Sequence, residues 1–190
     1  GSICAGLRMV LLAGLAGFIM PLYLADILHF NTALSGFYLM ATPVAMTVFT
    51  RIGGNLAARV GSRTLSWGGF IIIAAVMFSF SQLSSEAQPG LIAILLFAFG
   101  IGAGLMLAVL HYAALNDVPD VDLGTSSGIY SMIRFLGAAA GTAFGGILLQ
   151  YYLDQNLANE LAAYQHVFQW FVGFAILGII TASFLPQAEQ

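Results

Sequence analysis

The stretch GIYSMIRFLGAAAGTAFGGILL, Gly128–Leu149, is apolar, holds five glycines and carries one arginine, Arg134. It is long enough to cross a bilayer as a helix, which takes about 20 apolar residues. In water Arg134 would be an ordinary surface charge. In hydrocarbon it costs about 2.5–3.5 kcal/mol at a span centre, so it must face protein or a water-filled cavity. The solvent around this segment therefore decides the fold.

Composition settles that solvent. The chain has 190 residues, 60% hydrophobic and 7% charged, with a mean hydropathy of +0.95. Soluble domains carry about 25% charged residues, so this chain lacks the polar surface to cover itself and reads as an integral membrane protein. The five basic residues are all arginine and the formal net charge is −3. No basic patch or motif suggests nucleic acid. Cys4 is the only cysteine, so no internal disulfide forms. No Cys/His spacing suits zinc, and nothing points to a metal or cofactor. The opening GSIC lacks a signal peptide's charged region and cleavage site; the chain reads as a piece of a longer protein.

Six spans are expected: Leu7–Leu28, Ser35–Ala57, Thr64–Leu83, Pro89–Leu115, Thr125–Tyr151 and Gln165–Leu185. Turn formers and most of the charge lie between them. Arg8, read as preceding the first span, and Arg59 and Arg63 in the second connection fall on one side. The opposite connections hold no Lys or Arg. Both termini are then expected to be cytoplasmic. Tyr23, Tyr151, Tyr152, Tyr164 and Trp170 fall near outer span ends, as an aromatic belt would.

The spans repeat. SGFYLM at Ser35–Met40 matches SGIYSM at Ser127–Met132, and RIGG ending at Gly54 matches AFGG ending at Gly146, both at an offset of 92. The second and fifth spans thus correspond, and the unit is three helices. An odd number of crossings inverts the second unit, the arrangement of many secondary transporters. The expected fold is an all-α membrane domain of six transmembrane helices in a 3+3 inverted repeat.

GGNLAARVGSR, Gly53–Arg63, resembles the loop motif of the major facilitator superfamily, with Gly54, Arg59, Gly61 and Arg63 among the matching positions and Ala58 where the motif has aspartate. GAAAGTAFGG, Gly137–Gly146, resembles that superfamily's antiporter motif, with Thr142 in place of proline. With PLYLADILHFNTALSGFYLMATP and GTSSGIYSMIRFLGAAAGTAFGG, the chain resembles the C-terminal half of the fourteen-span drug:proton antiporters. The resemblance implies one half of a proton-coupled multidrug efflux transporter in a bacterial inner membrane. Its partners would be the lipid bilayer, an N-terminal half, protons and a lipophilic small molecule. In that superfamily the first, second, fourth and fifth helices of a half line the path. Carried onto this chain, the cavity candidates are Met20, Tyr23, Tyr38, Thr42, Met106, His111, Tyr130 and Arg134.

The helical wheel places Ser127, Tyr130, Ser131 and Arg134 on one face, continued by Gly137, Gly141 and Gly145, with Gly146 beside it. Glycines four apart let another backbone approach closely. Ile129, Phe135, Leu136 and Phe144 point elsewhere. Two roles remain open for Arg134. It pairs with helix-end carbonyls or with the acidic connection after Asn116, or it lines the cavity and senses substrate or proton state. Arg51, nearer its helix end, reads as structural. All eight acidic residues fall in connections, tails or span ends. This half is therefore expected to supply cavity wall and its partner the proton-coupling group. His111 reads as a hydrogen-bonded packing residue.

Two other classes remain. GTSSG, Gly124–Gly128, has the spacing of a nucleophile elbow, and Ser126 or Ser127 with His166 would give an intramembrane protease dyad. The preferred reading has Ser126 capping a helix and no enzyme activity, since an elbow needs a strand before it. The other class is a self-associating carrier or scaffold of identical six-span chains. GIGAG, Gly100–Gly104, reads as helix packing rather than a dinucleotide loop.

Overall fold

The computed structural model describes residues 1–84, 87–115, 118–155 and 160–185. Six helices are long and apolar enough to cross a membrane: α1 (Ser2–Asp26), α2 (Thr32–Ala57), α3 (Arg59–Ser81), α4 (Pro89–Leu115), α5 (Leu123–Asp154) and α6 (Glu160–Ala182). The shortest has 23 residues, about 35 Å at 1.5 Å per residue, against a hydrocarbon core of about 30 Å. Several helices outrun the apolar stretches. α1 starts at Ser2, α3 at Arg59, α5 at Leu123 and α6 at Glu160. Hydropathy marks where lipid begins, whereas helical hydrogen bonding continues into the interface until a breaker stops it.

The breakers are local. Asn31 opens α2, its Oδ1 accepting from the Leu34 N–H at 2.8 Å. Pro89 sits at the first position of α4, where its missing N–H costs nothing. Helical geometry is interrupted at Gly61, with φ 81° and ψ 157°, a region closed to residues with a Cβ; this is the glycine of the loop motif. Within α1 the stretch Leu12–Ile19 is π-helical. It lies just before Pro21, whose ring crowds the carbonyl four residues back, and the wider π turn relieves that clash.

The helices pair across the repeat. α5 lies on α1 so closely that a Cβ on Gly137 would overlap the Gly6 carbonyl, and one on Gly141 the Val10 carbonyl. The same device joins α4 to α2: a Cβ on Gly100 would overlap the Thr42 carbonyl, and one on Gly104 would meet the Met46 backbone at 2.8 Å. Gly145 and Gly146 meet the Ile19 and Phe18 side chains more loosely. α3 and α6 face each other, with Phe70 against Gly178 and Trp67 Nε1 donating to the Ile179 carbonyl at 3.1 Å. Exchanging α1 with α4, α2 with α5 and α3 with α6 reproduces the scheme, as an inverted three-plus-three repeat requires. Lipid is as apolar as leucine, so close backbone packing rather than water exclusion holds such helices together.

The core runs along α1, α3, α4 and α6, with Leu11, Leu15, Ile19, Phe70, Phe80, Phe99, Phe168 and Phe171 fully enclosed. α2 and α5 are the least enclosed helices. They present Phe37, Met40, Val44 and Val48, and Phe135, Leu136 and Ile147, outward. The start of α1 and the end of α6 meet on one face, where the Cys4 Sγ lies 3.5 Å from the Thr181 hydroxyl.

Four sequence-based expectations are corrected. Tyr23 and Tyr164 are not belt residues. Both are fully buried, with Tyr23 edge-on to Tyr164 at 5.6 Å and to Phe168 at 5.7 Å. Phe144 does not point away from protein but packs on Trp170, Phe171 and Phe174 of α6. Ser126 caps nothing, because α5 begins three residues earlier behind Asp122. Arg8 does not precede a span; it is the seventh residue of α1 and 1% exposed.

Candidate functional site

The polar residues that the membrane must accommodate converge where α1, α4 and α5 cross. The Gly6–Gly137 contact brings α1 and α5 together one turn from Arg8 and Arg134, and the Gly6 position also faces Ile133. Arg8 thereby becomes enclosed. Its Nη1 donates to the Ala103 carbonyl of α4 at 3.4 Å, its Nη2 approaches the Met9 sulfur at 3.6 Å, and its Nε is buried with no partner. Arg134 is half-buried, with Cζ 5.5 Å from the centre of the Tyr130 ring. Its Nε is also buried and unpaired. Tyr130 is 2% exposed and takes the exposed His111 ring of α4 edge-on at 5.1 Å. Arg8 and Arg134 lie at the same crossing of α1 and α5, where Gly6 faces Ile133, the neighbour of Arg134. Neither is paired with a carboxylate among the described residues. Of the acidic connection considered as a partner for Arg134, Asp117 lies outside the described residues and Asp122 is exposed.

The remaining candidates separate into two groups. Met20, Tyr23, Thr42 and Met106 are enclosed by their own bundle. The Thr42 hydroxyl donates to the Leu96 carbonyl at 3.1 Å, and the Met106 side chain fills the space above Gly69. Tyr38 is half-buried against Phe30 and Phe37 and, with His111 and Arg134, reaches the bundle surface. His111 was read as a packing histidine; it is exposed, and its ring contact is with Tyr130. In the loop motif, Arg63 stacks over Trp67 at 5.2 Å, and Gly54 lines a cleft of about 440 Å³ with Ala57, Ser62, Ala108, Val109 and Tyr112. Arg59 and Arg51 are exposed.

Arg8 is the residue that sequence reading missed. Its signal was present: an arginine inside a run of apolar residues deserves the same question as Arg134. The supposed dyad is dispersed. His166 stacks on Tyr152 at 4.8 Å, and from Ser127 to Tyr152 helix α5 rises about 38 Å, so His166 does not reach the serines.

Two inverted, interlocked three-helix units with ionisable side chains held where the helices cross form the build of a secondary-transporter half. The sequence matches the Major Facilitator Superfamily over residues 3–189, and the chain belongs to that family. It is 25% identical over 127 residues to the riboflavin transporter RibZ of Clostridioides difficile, covering 67% of this chain and 28% of that protein. It is 29% identical over 164 residues to the uncharacterized transporter YebQ of Escherichia coli, covering 85% and 35%. It is 26% identical over 147 residues to the MFS-type efflux transporter phmH of Phaeosphaeria nodorum, covering 77% and 26%. The chain therefore spans about a third or less of the length of these three relatives, each named as a transporter.

Proposed function

We propose that this chain is the C-terminal half of a proton-coupled efflux transporter for lipophilic small molecules. It would work by alternating access, rocking against an N-terminal half around a site near the bilayer midplane. The observation that carries this reading is the interlocked inverted repeat, together with the apolar faces of α2 and α5 that their own bundle leaves uncovered. The uncovered faces are two pseudo-symmetric surfaces for a second half. Efflux function follows the relative whose name carries it. The wall contributed here is Tyr38, His111, Tyr130 and Arg134, with Met20, Tyr23, Thr42 and Met106 supporting it from within.

Proton coupling is assigned to the partner half. Among the described residues the carboxylates sit at helix ends: Asp26 closes α1, Asp120 and Asp122 precede α5, Asp154 closes α5 and Glu160 opens α6. A coupling group needs to titrate within the pathway. Arg59 and Arg63 flank the α2–α3 turn, and their placement supports reading that face as the cytoplasmic side of a bacterial inner membrane.

The test is transport by the full-length protein in proteoliposomes. An imposed pH gradient is expected to drive accumulation of a lipophilic fluorescent dye, and a protonophore to abolish it. Accumulation indifferent to both gradient and protonophore would overturn proton coupling while leaving the transporter assignment intact.

A further inference from the structure

We propose that Arg8, Arg134 and Tyr130 form a binding site for the carboxylate of an amphipathic aromatic anion, at the crossing of α1, α4 and α5. An arginine presents five N–H donors, and in a membrane a buried charge is paired or solvated. Arg8 is 1% exposed, yet its two bonds are a 3.4 Å contact to a carbonyl and a 3.6 Å contact to a thioether. Arginine–carboxylate bonds run at about 2.7–2.9 Å. The guanidinium of Arg134 belongs to the same crossing of α1 and α5, with its own Nε enclosed and unpaired. Two cations at one crossing, one fully and one half-buried, with orphan donors and no carboxylate partner among the described residues, call for a shared anion, whose charge would offset both.

The surroundings set the rest of the ligand. The Tyr130 ring lies under Arg134, the His111 ring stands edge-on to it, and the Met9 sulfur borders Arg8. Aromatic faces and a polarisable sulfur suit an aromatic body behind the carboxylate. Access runs past Arg134 and His111, which reach the surface, whereas Arg8 lies at the back. The site rests on the transporter reading only for its place on the central path.

The experiment is binding of sodium benzoate to the full-length transporter in detergent by isothermal titration, with no gradient imposed. Benzyl alcohol serves as the uncharged counterpart. Wild type is expected to bind benzoate saturably and to ignore benzyl alcohol. Arg134→Gln is expected to weaken benzoate at least tenfold, and Arg134→Lys to retain part of the affinity. Arg8→Gln is expected to weaken it similarly where the variant folds; the Arg134 pair carries the test where it does not. Binding unchanged within twofold in Arg134→Gln would overturn the site. A wild type that shows no saturable benzoate binding would overturn it as well. Because no proton gradient enters the measurement, failure of proton coupling leaves this result untouched, and the reverse holds.

Discussion

At the scale of single residues, the membrane makes the charged side chains informative and the apolar ones nearly silent. Arg134 was recognisable because 22 residues of apolar sequence surround it. Arg8 was misread because it lies near the start of the apolar run, where a loop residue and a first-turn residue look alike. Only the approach of α4 and α5 decides that it is enclosed. In the intact transporter, Arg134→Ala is expected to lower drug resistance, scored as inhibitory concentration, more than Arg134→Lys, which keeps the charge. Equal resistance in wild type and both variants would remove Arg134 from the mechanism. A second residue-scale expectation concerns Tyr164, whose hydroxyl donates to Asp26 at 2.5 Å and ties α6 to the end of α1. Hydrogen bonds to charged groups contribute about 1.5–3 kcal/mol, and the exposure of Asp26 places this one at the low end. Thermal unfolding of Tyr164→Phe should therefore show a loss of about 1.5 kcal/mol; a midpoint identical to wild type would mean the bond contributes nothing.

At the scale of elements, glycine spacing was the readable signal and side-chain direction the unreadable one. The four-residue rhythm of Gly137, Gly141 and Gly145 named the face of α5 that meets protein, and α1 covers that face. The π-helical stretch of α1 was not anticipated, although Pro21, which crowds the preceding turn, is its mark in the sequence. The close approaches are testable. Gly141→Val places a branched side chain against the Val10 carbonyl, and overpacking of this kind costs about 1–3 kcal/mol. Gly68→Ala, in α3, meets nothing within 4 Å and should be neutral or gain up to about 1 kcal/mol from reduced chain freedom. Unfolding of the two purified variants in the same detergent checks the contrast, and equal midpoints would show that the α1–α5 approach is looser than described.

At the scale of the whole molecule, the first and last helices close on each other, with Cys4 on α1 beside Thr181 on α6. In a background free of other cysteines, Thr181→Cys is expected to lose both free thiols on mild oxidation, whereas a cysteine at Trp170, farther along α6, leaves Cys4 reactive. Persistent thiols in the first variant would mean that α1 and α6 do not meet there. The sequence by itself determined the solvent, the number of crossings, the three-plus-three repeat and the glycine face, because each depends on composition or period along the chain. Tertiary structure alone decided which apolar residues face inward: Tyr23 and Tyr164 went to the core, Phe144 to α6, and Arg8 and Arg134 to one crossing. The reason is physical. In lipid the outside of a bundle is as apolar as its inside, so hydropathy counts the helices without orienting them, and only packing supplies the direction.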